Sequence, residues 1–494
     1  MIMKNKSIKR LFIVAIAGTM ILGSCNDDEF LDKKPEGQAV PGEVTVGGFD
    51  AQAFGLYAKF RTQAGIADWT RYWFQSIRSD DAAKGSTSDD AAAFGTIFDA
   101  YQYSAVEGFA ASNWGGHFNL IFDCNDLIAD IEESGDVTEG TLTNKAEASV
   151  FRALCYFELR RDYGEVPLVL NRVVNPSDSY KVKSSITDID AQIVADLQYS
   201  IEHLPVSWPA YPGRATKGFA TALLGKLYLY QQNWSQALTQ FETVMTYGYD
   251  LYPDFDELFL QKADNSAESI FEVQFTRIAG QNYSSNYWES QGVRGSSTWD
   301  LGWGFNVPTQ ALVDAFEPGD PRKAATILYS GQDDGDGNVL PGVPPLAQQY
   351  WNKKAYTLKS ERENFGENKN HWSNIRIIRF ADVLLMAAEA ANESGQTAVA
   401  TDYLNRVRAR ARGNNAGVLP DVVSGDQGTV RAAIKHERRV ELAMEGERFY
   451  DLVRWGDAVS VLGGLGYQDK NKFYPVPQTV IDESQGIIAQ NPNY

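Results

Sequence analysis

Residues 216–247 read TKGFATALLGKLYLYQQNWSQALTQFETVMTY, and this stretch decides the fold class. Leu224, Gly225, Tyr228, Ala237 and Phe241 fall at the spacing of a two-helix repeat. The small residues let two antiparallel helices approach closely. The large ones fill the space between one helix pair and the next. Such a pair cannot bury both faces alone, so stacked neighbours are required.

The rest of the chain supplies them. Ala388, Ala400, Leu404 and Val407 fall at equivalent offsets between Phe380 and Arg412, and a further helix pair is predicted over about 429–461. Helical periodicity also covers about 53–64, the run Trp114, Leu120, Cys124, Leu127, Ile131, and about 144–163. Thr187 and Asp190 read as a capping box opening a helix through Ile193, Leu197 and Ile201 to Pro205. The predicted fold is therefore mainly α, a tetratricopeptide-like (TPR-like) scaffold of about four helix pairs. Residues of about 250–375 break the pattern, being rich in Gly, Ser, Asn, Asp and aromatics. They predict a loop-rich subdomain with one short strand at 269–275, on the scaffold of 51–250 and 376–494. Binding residues concentrate on loops of that kind.

The N-terminus carries an address. Lys4, Lys6, Lys9 and Arg10 precede an apolar run from Leu11 to Leu22. That run is shorter than the ~20 residues a membrane-spanning helix needs, and it suits a signal peptide. Leu22-Gly23-Ser24-Cys25 resembles a bacterial lipobox. Residues 1–24 are read as the leader, Cys25 as the acylated first mature residue, and 25–50 as anchor and tether. Two or more acyl chains hold a protein firmly to a membrane.

The formal net charge is −19, and loss of the basic leader makes it more negative. This balance argues against nucleic-acid binding, which needs cationic groups against phosphates. The three cysteines are too few for a disulfide framework. Cys124 and Cys155 sit among apolar neighbours and are read as buried free thiols, a single disulfide being the alternative. No nucleophile elbow, P-loop or zinc spacing occurs, and the four histidines are scattered. Asp334-Gly335-Asp336-Gly337-Asn338 begins like a Ca²⁺ loop, but Pro345 stands where the twelfth-position Glu is needed. An acidic turn is expected, with Ca²⁺ the alternative; no other cofactor is implied.

Several ordered blocks resemble the SusD/RagB family of nutrient-binding outer-membrane lipoproteins. They are Cys25 with Phe30-Leu31-Asp32; Phe151-Arg152-Ala153 with Tyr163-Gly164; the repeat at 216–247; Trp303-Gly304-Phe305-Asn306-Val307-Pro308 with Gly319-Asp320-Pro321-Arg322; Arg379-Phe380-Ala381-Asp382; Glu437-Arg438-Arg439 through Arg454-Trp455-Gly456; and Tyr474-Pro475-Val476-Pro477 with Asn491-Pro492-Asn493-Tyr494. The resemblance implies a single domain over 51–494. It implies a surface-exposed lipoprotein of the outer membrane, a SusC-like TonB-dependent transporter as partner, and capture of glycan for delivery to it. Peptide binding within the same family is the alternative, a glycoside hydrolase a more distant one. The Glu445, Arg448, Asp451, Arg454 series is read as structural i,i+3 pairing rather than a catalytic carboxylate cluster.

A sugar ring offers an apolar C–H face and a hydroxyl rim, so its site needs exposed aromatics among polar side chains. Two segments qualify. Asp68, Trp69, Arg71 and Trp73 form one; Asn282, Tyr283, Tyr287, Trp288 and Trp299 form the other. Trp114, Trp234, Trp303 and Trp455 are assigned to the scaffold.

Overall fold

The computed structural model describes residues 48–63, 66–278, 285–423 and 425–494. Cys25, Asn282 and Tyr283 lie outside the described residues.

Eleven of the helices carry the argument. They are α1 Asp50–Thr62, α2 Gly108–Ser134, α3 Glu139–Tyr163, α4 Ile186–His203, α5 Lys217–Tyr230 and α6 Trp234–Met245, then α7 Lys359–Phe365, α8 Phe380–Glu393, α9 Thr397–Arg412, α10 Gln427–Glu441 and α11 Arg448–Trp455. The stretch that decided the class folds as α5 and α6. The Thr216 hydroxyl accepts from Phe219 N at 3.2 Å and caps α5. A Cβ on Gly225 would lie 2.6 Å from the Phe241 ring, so only glycine lets α6 come this close. Pairs α3–α4, α5–α6 and α8–α9 pack tightly, with α6 on α8 and α10 on α8. The fourth expected pair is looser, α10 and α11 being joined by the Arg438–Asp451 ion pair at 2.9 Å. The cap of α4 is Ser185, which accepts from Asp188 N, and not the Thr187 box. Each box candidate is an acidic residue three after a hydroxyl, and the local pattern cannot rank them.

The loop-rich region holds more strand than its composition suggests. Three two-stranded antiparallel sheets pair β1 Ala82–Gly85 with β3 Phe305–Pro308, β2 Ser269–Val273 with β6 Ile375–Arg379, and β4 Ile327–Tyr329 with β5 Tyr350–Asn352. Every partner but β4–β5 is distant in sequence, which hides the pairing from a local reading.

Buried ion pairs fix these loops to the helices. Arg322 is fully buried against Asp320, Glu437 and Glu441. Arg379 reaches Glu268, Glu441 and Glu445, and Lys354 reaches Glu445. Of the local pairs read along 445–454, only Asp451–Arg454 is an i,i+3 bridge, at 2.7 Å. Glu445 bonds across to Arg379 and Lys354, and Arg448 to Asp80. The cluster is structural, but its partners come from other segments. Cys124 and Cys155 are buried and free.

Candidate functional site

The site is built on one turn of chain between β2 and β3. Ser285 N donates to His371 O at 2.9 Å, and the Ser285 hydroxyl caps the short helix Asn286–Glu289. The chain then doubles back. Leu301 N donates to Val293 O, Gly304 N to Gly292 O and Phe305 N to Ser290 O, all within 3.0 Å. A Cβ on Gly302 would sit 2.0 Å from Glu289 O and 2.8 Å from Gly292 Cα, so no side chain fits between the two passes. With Gly302 held inside, Trp303 points out. Its ring is 49% exposed although the sequence assigned it to the scaffold.

Polar groups surround that ring. Trp303 Nε1 donates to Glu289 Oε1 at 3.3 Å. Lys369 Nζ stands 3.1 Å from the same oxygen, and His371 Nε2 3.6 Å from the other. Lys369 Nζ and Arg294 Cζ lie 5.5 and 5.8 Å from the Trp303 ring centroid, within cation–π range. Arg294 pairs in turn with Asp90, which accepts from the Ser86 and Thr87 hydroxyls at 2.8 Å. Those two hydrogen bonds hold the Asp90 carboxyl below its usual range.

The sequence-derived candidates divide. Trp69 is 37% exposed and stands edge-on to Trp73, their centroids 6.4 Å apart. Trp299 is half-buried on the same turn of chain as Trp303 and packs against the Val293, Leu301 and Trp351 cluster. Asp68, also half-buried, accepts from Thr70 N at 2.9 Å. Four others are corrected from exposed contacts to interior ones. Trp288 is buried and donates to Asn374 O at 3.1 Å. Tyr287 packs edge-on against it at 4.7 Å. Trp73 is enclosed by Phe94, Phe98 and Phe305, centroids 4.6 to 5.3 Å away. Arg71 is buried with its guanidinium 2.8 Å from Glu158. In each case burial withholds the side chain from a ligand at the surface.

Trp303, Glu289, Lys369, His371 and Arg294 thus form the patch, with Trp69 joined to it through the buried rings of Trp73 and Phe305. Trp234 packs against the main core as expected and Trp455 donates to Glu389 at 2.9 Å, while both also line a cleft of about 300 Å³ with Arg431 and Arg454. Trp114 is buried as expected. At the acidic turn Asp334 accepts from Asp336 N, Asn338 N, Asn338 Nδ2 and Tyr356 OH, so its carboxylate closes the turn itself. Among the described residues no group of three His, Cys, Asp or Glu side chains is arranged to hold a metal ion.

Two family models match the chain. The SusD family model covers residues 267–472, and one described as "Starch-binding associating with outer membrane" covers 29–229. A SusD-like protein of Formosa agariphila is 27% identical over 99% of this chain and all of its own length. A SusD-like protein of Bacteroides ovatus is 27% identical over 90% of this chain and 82% of its own. Among solved structures, a laminarin-binding SusD-like protein is 29% identical with a TM-score of 0.77, over 90% of this chain and 98% of that one. A surface glycan-binding protein A from Bacteroides fluxus is 25% identical with a TM-score of 0.74, over 90% and 99%.

Proposed function

Because the chain belongs to the SusD family, we propose that it captures glycan at the cell surface by stacking sugar rings on Trp303. The exposed indole is the observation that carries this reading. An apolar ring 49% open to water and flanked by paired polar groups suits the two-sided chemistry of a sugar. The C–H face lies on the indole. Glu289 accepts and Lys369, Arg294 and His371 donate to hydroxyls, and the Lys369–Glu289 and Arg294–Asp90 ion pairs fix the charged groups beforehand, which lowers the ordering cost of binding. Trp69 and Trp299 extend the shelf. The laminarin-binding relative makes laminarin the first glycan to try.

Capture is non-covalent in this reading. Glycoside hydrolysis needs one protonated and one ionised carboxyl across the bond. The carboxyls at the patch are Glu289, hydrogen-bonded to Trp303 and ion-paired with Lys369, and Asp90, held ionised and paired with Arg294. The helical scaffold would seat a SusC-like TonB-dependent transporter, acylated Cys25 would hold the protein to the outer membrane, and the glycan would pass to the transporter. No helix among the described residues is long and apolar enough to cross a membrane, which is compatible with a lipid anchor.

The test is affinity electrophoresis of the purified protein through gels containing laminarin or other plant, host and microbial polysaccharides. Retardation by one glycan that Trp303→Ala removes supports the reading. Retardation that Trp303→Ala leaves intact moves the site elsewhere, and none across the panel overturns glycan capture.

A further inference from the structure

A second cleft, of about 530 Å³, opens beyond Asn374 and is lined by Gln261, Asp264, Asn265, Gln274, Phe275 and Glu361 among others. Its volume falls within the ~300–1,000 Å³ of small-ligand pockets. Its wall is an amide platform. Asn265 and Gln274 exchange hydrogen bonds at 2.8 and 2.9 Å, and Asn374 Nδ2 donates to Gln274 Oε1 at 3.1 Å. Gln274 also donates to Glu272 O, and its amide lies flat on Gly213, where a Cβ would come within 2.4 Å. The platform is therefore rigid before any ligand arrives, while Asn265 keeps an unused N–H and a spare lone pair facing outward. Phe275, Leu260 and Leu358 add an apolar side.

Two carboxyls, Asp264 and Glu361, and one ammonium, Lys262, also line the cleft. Burial, then the neighbouring Glu272, pushes the Asp264 carboxyl up to about 8, and burial raises Glu361. Lys262 pairs with Glu257. Arg376 is held by Asp264, Glu272 and Ala263 O.

We propose that this cleft is a second carbohydrate site, taking one neutral sugar ring or the end of an oligosaccharide. Neutral amides beside an apolar strip suit hydroxyls and a C–H face. The cleft adjoins the turn that carries the patch: Asn374 of the cleft stands three residues beyond His371 of the patch, and its carbonyl accepts from Trp288 Nε1. The proposal rests on the glycan-capture reading and extends it, so that one chain of sugars has two points of hold.

Saturation-transfer NMR on the purified Trp303→Ala protein, with glucose, galactose, mannose, xylose and laminarihexaose as probes, tests it with the patch disabled. Two further variants probe the cleft. Asn265→Gly deletes the amide but keeps the backbone at φ 54°, which glycine tolerates. Ser360→Trp, at an exposed position on α7, plugs the opening. At least one probe is expected to show transfer in Trp303→Ala, weakened about tenfold by Asn265→Gly and abolished by Ser360→Trp. No transfer to any probe, or transfer that both variants leave unchanged, overturns the proposal. A wild-type protein that fails to bind every polysaccharide overturns the Trp303 reading instead, and the monosaccharide result still decides the cleft.

Discussion

Trp303 Nε1 and Glu289 Oε1 are 3.3 Å apart, and Lys369 Nζ reaches that same oxygen at 3.1 Å. The indole is thus oriented by a carboxylate that is itself held by a cation. Trp303→Ala should lower glycan affinity at least about tenfold while leaving stability within about 0.5 kcal/mol, because the ring is exposed. Trp303→Phe should retain part of the affinity. Calorimetry paired with urea melts reads both quantities, and a stability loss equal to the binding loss would make Trp303 structural.

Trp288 reverses that pattern. It is buried and donates to Asn374 O. Trp288→Ala removes both the packing and the donor, so a cost of about 3–5 kcal/mol is expected. Its urea midpoint should fall far below that of Trp303→Ala. Binding by the fraction still folded should fall less.

That contrast measures what was legible. Helices α5, α6, α8 and α9 follow from periodicity and from small residues such as Gly225, because those signals are local. Trp69 and Trp299 were found as aromatics in loop-like sequence. Trp288 and Trp303 are ranked the wrong way round from sequence, because burial depends on the return of the chain at Gly292 and Gly302 and on the pairing of β3 with distant β1. The Gly302-Trp303-Gly304 triplet was the available signal, a large ring on a turn too tight for neighbours. Lys369 and His371 reach the patch from a segment far along the chain, and no pattern around Trp303 announces them.

Gly302 tests how the patch is made. Gly302→Ala forces a Cβ to within 2.0 Å of Glu289 O, a backbone atom with little room to move. The turn should open and the Trp303–Glu289 bond should break. Glycan affinity should fall as far as in Trp303→Ala with the indole still present, and the Trp303 emission should shift. Unchanged affinity would mean that the ring finds its position without the turn.

Arg322 should matter to stability alone. It is fully buried among Asp320, Glu437 and Glu441. Arg322→Met leaves three buried carboxylates short of a cation, and losing one partner of such a network costs about 3–5 kcal/mol. Arg322→Lys keeps the charge but loses the forked geometry and should recover part of it. Urea midpoints of the two variants check the order.

Asp264 gives the protein a pH dependence of determinable sign. Burial, then Glu272, raises its carboxyl to about 8 in the folded chain, whereas an unfolded aspartate titrates near ~3.9. Between these values the folded state holds a proton that the unfolded state has lost. Stability therefore falls as pH rises from about 4 to about 8, where this contribution levels off. Asp264→Asn keeps the shape and removes the titration. Its Tm should match wild type near pH 4 and exceed it at pH 8, the gap growing steadily between. Arg376 stands 3.5 Å from Asp264 and opposes the effect, since it favours the ionised form. If that ion pair governs instead, Asp264→Asn will be the less stable protein at pH 8. Thermal melts of both proteins across this range decide between the two, and a lower Tm for the variant at pH 8 would show that Asp264 is charged when folded.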